Sequence, residues 1–162
     1  MRIIDKALQV TEDDWQLLDD DGDLPDDGGV IVSVARWQKE REALSAREGR
    51  LGLKIAGDTP LETIAPDLGR FALLALEFPK FVDGRCFSQA RLLRGRYGYR
   101  GELRAVGDVV RDTIDFMRRC GIDSYALRPD KNAEDALEAF REFSVRYQGA
   151  ADGAVPIYRQ RR

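Results

Sequence analysis

The chain has 162 residues, 43% of them hydrophobic and 34% charged, and a net charge of −3. That suits one soluble domain able to bury about 70% of its unfolded surface without a disulfide or a metal. With no histidine, and only Cys86 and Cys120 as thiols, the chain cannot use Ser-His-Asp or Cys-His catalysis, bind zinc or haem through histidine, or supply the four thiolates of an iron–sulfur cluster. No apolar run reaches 18 residues and the start MRIIDKALQV has no signal-peptide core. The expectation is therefore a cytoplasmic protein with no membrane partner.

Charge divides the chain. Residues 1–27 hold ten acids against Arg2 and Lys6, a net −8, so residues 28–162 carry a net +5. Residues 1–27 read as an acidic arm whose apolar residues, in 3–10 and 15–18, suit a short hairpin. The Asp-, Gly- and Pro-rich stretch 19–29 reads as a loop. Residues 28–148 read as a single α/β domain, and 149–162 as a loose tail.

Within the domain, strands alternate with helices. VIVSVA (30–35) predicts a buried strand, 37–48 a mostly polar surface helix and LGLKIA (51–56) a second strand. Thr59-Pro60-Leu61-Glu62 has the form of a capping box opening a short helix. FALLALEF (71–78) predicts the strongest strand, 86–97 a helix, ELRAV (102–106) a strand, 108–119 a helix and SYAL (124–127) a fifth strand. Asn132 is placed to cap a last helix bearing Ala136, Leu137, Phe140, Phe143 and Tyr147. About five mainly parallel strands covered by helices predict an open three-layer sheet. A partial, barrel-like βα array is the alternative, because 102–127 has a strand–Gly–helix–Gly–strand rhythm.

Ligands of parallel sheets bind beyond the C-terminal strand ends, which here are residues 57–59, 79–85, 107–108 and 128–130. The second loop stands out. Lys80, Arg85, Arg91, Arg94, Arg96, Arg100 and Arg104 lie within 25 residues, against Asp83 and Glu102. Lys80 and Arg85 flank an Asp83-Gly84 turn leading into a helix that starts with Ser88 and Gln89 nearby, a combination suited to an oxyanion. The alternative is a turn, a Ser88 cap and a solvated arginine face. Asp83 and Asp108 are the candidate acid–base carboxylates, although Asp108 reads first as a helix cap, with Asp112 on the same face. Cys86, beside Arg85 near a helix start, is the better candidate for a reactive thiol; Cys120, at a helix end, reads as buried. No dinucleotide or phosphate-loop motif and no metal-ligand set is present, so no cofactor is evident. A pI of about 5.2 argues against nucleic acid, although Tyr97 and Tyr99 lie among the arginines.

The stretches FPKF (78–81), DGR (83–85), SQARLLR (88–94), YGYRGELRAVGDV (97–109), Asp112 and RCG (119–121) resemble the bacterial domain-of-unknown-function family 934. The similarity extends more loosely over 28–128. Genes of this family tend to lie beside those of assimilatory sulfite reductase, and members are often labelled oxidoreductases. The resemblance therefore implies an accessory protein of sulfite or sulfate reduction. It would dock on the sulfite reductase haemoprotein, or another sulfur-assimilation protein, through the basic face of Lys80, Arg85, Arg91 and Arg94. Family members usually have glycine where this chain has Cys86, so a reactive thiol there would not be a family property. Two alternatives stay open. One is an enzyme binding a small oxyanion or phosphorylated substrate through Lys80, Arg85 and Ser88. The other is a homo-oligomeric scaffold in which one subunit's acidic arm covers another's basic face.

Overall fold

A computed structural model describes residues 1–80 and 83–140; the predicted tail and the helix positions Phe143 and Tyr147 lie outside them. The hairpin strands β1 (Arg2–Ile4) and β2 (Val10–Glu12) come first, then β3 (Trp15–Leu17) and β4 (Gly29–Ser33). Helix α1 (Val34–Ala46) leads to β5 (Leu51–Ala56), two 3₁₀ turns (Leu61–Thr63 and Ala65–Arg70) and β6 (Leu73–Phe78). Then come α2 (Arg85–Gly95), β7 (Glu102–Gly107), α3 (Arg111–Arg119), β8 (Ser124–Tyr125) and α4 (Ala133–Glu138). Ser33 caps α1 through its hydroxyl and Asn132 caps α4 through its side-chain carbonyl, as such residues do at helix starts. The Thr59–Glu62 box does not open an α-helix: Pro60 holds the cap position of a 3₁₀ turn with no side-chain bond.

The eight strands form one sheet in the order β2-β1-β8-β7-β6-β5-β4-β3. β3 to β8 are parallel and follow one another in sequence; β1 is antiparallel to β2 and β8. Crossovers of one hand between sequential neighbours put all their helices on one face. The predicted α/β class with a mainly parallel sheet is present, with three more strands than expected, and the open three-layer form is replaced by the curled alternative.

Chain length enforces the curl. β2 and β3 are opposite edges of the sheet, yet only Asp13 and Asp14 join them. Seven flat inter-strand steps would part those edges by about 34 Å. Three Cα steps span at most about 11 Å. The sheet therefore bends until its edges meet. Residues 1–27 are thus not a separate arm, since they supply three strands. A hairpin forms within 2–12, from 2–4 and 10–12, and not between the expected segments 3–10 and 15–18, because 15–17 crosses to the far edge.

Register separates two faces. Val30, Val32, Leu53, Ile55, Leu74, Leu76, Leu103 and Tyr125 face the helices and belong to the main core. The opposite, concave face carries Trp15, Ile31, Leu73, Ala75 and Val106 as a second, smaller cluster. Arg104 is buried on it, its Nη1 2.7 Å from Asp13 and its Nη2 2.8 Å from Glu102. Gly52 leaves room there, since a Cβ would crowd the Ile31 side chain at 3.1 Å and the Trp15 ring at 3.2 Å.

The acidic loop is held by its backbone. Buried Arg36 donates to the carbonyls of Asp19 and Gly22, and Arg47 to those of Pro25, Asp27 and Gly28. The loop carboxylates of Asp21, Asp23 and Asp26 remain exposed.

Gly107 closes β7 with φ +92, and a Cβ there would sit 2.5 Å from the Phe78 carbonyl oxygen. Gly107→Ala is expected to destabilise the fold by about 1–3 kcal/mol in urea unfolding; a change within about 0.5 kcal/mol would contradict this geometry.

Candidate functional site

The concave face opens at the C-terminal strand ends into a cavity of about 330 Å³. Leu17, Ile31, Ala75, Val106 and Leu127 give it apolar walls, Lys54 and Arg128 bring positive charge, and the paired Asp13 and Arg104 lie on its floor. A small cavity with apolar walls and a few convergent polar groups is the usual form of a small-molecule site. Lys54 projects from β5 and its Nζ lies 3.4 Å from Glu77 Oε1 on β6. Both side chains are part-exposed, at 29% and 37%, so the pair is solvated and open to exchange for a ligand. Arg128 follows β8; its Nη1 lies 3.1 Å from Asp108 and its Nε 2.9 Å from Asp130. These bonds, first the one to Asp108, raise its already high pKa further. A shallower cleft lined by Glu77, Pro79, Asp108 and Arg128 adjoins the mouth.

The floor is polar and fixed. Arg104 Nε donates to Glu102 Oε1 at 3.0 Å and to Ser124 Oγ at 3.2 Å, and Ser124 donates to Glu102. Asp13 carries on to the Trp15 backbone N–H at 3.2 Å. Arg104, predicted as part of a basic face, is thus an interior residue that fixes the curl.

The remaining predicted site residues separate. Lys80, Arg85 and Ser88 are exposed near the start of α2. Ser88 does not cap that helix, whose cap position is Gly84. Asp83 accepts from the backbone N–H and guanidinium of Arg85, at 3.2, 3.0 and 2.7 Å. The Arg85 bond pulls the Asp83 carboxyl down to about 2, which makes it a weak base. Gln89 is buried and donates to the carbonyls of Ala56 and Thr59, tying the loop after β5 to α2. Asp108 does not cap α3, which starts at Arg111. Instead its backbone N–H donates to the Phe78 carbonyl at 2.7 Å and its carboxylate accepts from Arg128. Asp112 lies in the first turn of α3, so the two carboxylates do not share a helix. Arg94 and Arg91 lie at the opposite end of the sheet from the mouth, where Arg94 donates to the carbonyls of Tyr99, Gly101 and Gly121 and pairs with Asp123.

Residues 52–158, well over half of the chain, match the family described as Bacterial protein of unknown function (DUF934). The chain belongs to that family. No curated protein matches it. The DUF934 stretch includes Lys54, Glu77, Arg104, Asp108 and Arg128, whereas Asp13, Trp15, Leu17 and Ile31 precede it. Among the described residues no group of three or more Cys, Asp or Glu side chains is placed to hold a metal, and no helix is long and apolar enough to cross a membrane.

Sequence reasoning missed Lys54 and Glu77. Their signal was a single charged residue in each of two otherwise apolar strands, LGLKIA and LLALEF.

Cys86 is not a reactive thiol. It is buried, its Sγ 3.1 Å from the Glu77 carbonyl oxygen, and burial pushes it from its ordinary value near 9 up to about 12. Cys120 is buried as expected. Below about pH 9 Cys86 is protonated folded and unfolded; above it, the unfolded chain releases a proton that the folded chain keeps. Stability is therefore expected to fall as pH rises from 9, by at most about 1.4 kcal/mol per pH unit for this group. Urea unfolding at pH 8, 9 and 10 should show that fall and a shallower one in Cys86→Ala; equal slopes would contradict a buried protonated thiol.

Proposed function

We propose that this DUF934 protein binds a small anion with an apolar body in the mouth of its curled sheet, and so serves as an accessory of assimilatory sulfite or sulfate reduction. The single observation that carries the binding reading is the mouth cavity, apolar along its walls with Lys54 and Arg128 at its polar side. A carboxylate, sulfite or sulfonate head would replace Glu77 at Lys54, and the apolar remainder would cover Ile31, Ala75 and Val106. Both gains need water excluded, which the concave face favours. The sulfur setting rests on the family resemblance.

The loops identified from the sequence contribute Arg128 and Asp108, while Lys80, Arg85 and Ser88 do not line the mouth. A charge-assisted hydrogen bond contributes about 1.5–3 kcal/mol. Lys54→Met is therefore expected to weaken binding at least about tenfold. Calorimetric titration with sulfite, sulfate, short alkyl sulfonates and short carboxylates checks this. Anions with an apolar body should bind more tightly than sulfite or sulfate in the parent, and Lys54→Met should weaken their binding. Affinities in Lys54→Met equal to those of the parent would overturn the mouth as the site.

Docking on the sulfite reductase haemoprotein is a second reading, favoured by the exposure of Lys80, Arg85 and Arg91. It requires binding that weakens between low and moderate salt and in the double variant Lys80→Ala, Arg85→Ala. No binding at either salt would contradict it.

A further inference from the structure

A second concave site lies at the opposite, N-terminal end of the strands. It is a cleft of about 600 Å³ between the β1–β2 turn, the C-terminal ends of α2 and α3, and the segments entering β7 and β8. Its charged lining is Lys6, Arg91, Arg94, Arg100 and Arg118 against Asp123 alone. Asp123 is already taken, because it pairs with Arg94 and accepts from the Leu103 backbone N–H at 3.1 Å.

Basic residues near helix C-termini have an ordinary use in offsetting the helix dipole. Each terminus carries about −0.5 of a charge, so two account for about one of the four surplus positive charges. Roughly three remain, gathered in a concave surface where like charges repel. Lys6, Arg91, Arg100 and Arg118 form no hydrogen bond or ion pair with a carboxylate among the described residues. Arg91 and Arg118 instead stack on the rings of Phe116 and Phe140, at 5.5 and 5.8 Å from the ring centroids. Stacking fixes a guanidinium while leaving its edge donors free. Arg94 is immobilised by three carbonyls and Asp123, which makes a rigid floor. Residues 141–162 add five arginines against Glu142 and Asp152, so they bring net positive charge.

We propose that this cleft binds a small polyanion carrying two or more phosphate-type groups, held by Lys6, Arg91, Arg100 and Arg118. A single sulfate, a dianion, leaves about one of those charges unmatched; two linked phosphate groups, each carrying about −1.5 to −2, match the surplus within one compact ligand. The cleft's size suits a molecule of that kind rather than an extended chain. The site is independent of the mouth, with which it shares no lining residue.

Titration calorimetry of the full chain with inorganic pyrophosphate, at low and moderate salt, tests it. Pyrophosphate is expected to bind at least tenfold more tightly than sulfate or orthophosphate, and to weaken as salt rises. The double variant Lys6→Ala, Arg100→Ala should lose at least tenfold in affinity while keeping the parent melting temperature, because neither side chain holds an internal partner. Lys54→Met should bind pyrophosphate like the parent, which separates this site from the mouth. The proposal is overturned by no binding at low salt, by pyrophosphate and sulfate binding alike, by an unaffected double variant, or by loss of binding in Lys54→Met. It is equally overturned if a long polyanion such as heparin binds while pyrophosphate does not, since the occupant would then be a macromolecule.

Discussion

Two residues, Asp13 and Asp14, connect the opposite edges of an eight-stranded sheet, and that short span constrains everything else in the molecule. It forces the sheet to curl and so creates a concave face. The ion pair of Asp13 with Arg104 seals the face from within, both side chains being at most 5% exposed. Burying such a pair is costly, and its use is more often to specify an arrangement than to add stability. Here it fixes which edge meets which. Glu102 and Ser124 add to the guanidinium's hydrogen bonding, so Arg104 itself is not left stranded in the interior.

The same curl gives the molecule two unlike ends. At the C-terminal strand ends the concave face opens into an apolar mouth with Lys54, Glu77 and Arg128. At the N-terminal ends the helix termini and the β1–β2 turn frame a strongly basic cleft. The arginines divide accordingly between scaffold and surface. Arg36 and Arg47 hold the acidic loop by its carbonyls, Arg94 holds the entries to β7 and β8, and Arg104 holds the seam. Arg91, Arg100 and Arg118 are left facing the cleft. An arginine-rich sequence is therefore not one basic face, because guanidinium groups with five donors are equally suited to tying backbone carbonyls together.

Much of the fold was legible in the sequence. The apolar runs placed β5, β6 and β7 within a residue or two, and Asn132 marked the start of α4. The curl was the less favoured reading, although the alternation within those runs carries a sign of it. In LGLKIA, LLALEF and ELRAVG the residues Leu53, Leu74 and Leu103 face the helices, while Gly52, Lys54, Ala75, Glu77 and Arg104 face inwards. Small and charged residues at many of the inward positions, alongside Leu73 and Val106, indicate a confined inner face, whereas a flat sheet between two helix layers needs both faces apolar. The role of residues 1–27 was not legible, since their acidity describes exposed carboxylates and says nothing of the three short strands between them. Nor did the basic run reveal which arginines are internal, for that depends on partners such as Asp13 and Gly121 that are far away in sequence.

The most direct test of this account is a double-mutant cycle on Asp13→Asn and Arg104→Gln, read by urea unfolding. The two residues are 91 positions apart and can interact only if the sheet curls until its edges meet. The account predicts a coupling energy on the order of 1–3 kcal/mol. Additive effects, agreeing within about 0.5 kcal/mol, would contradict the closed seam and, with it, the concave face that forms the mouth.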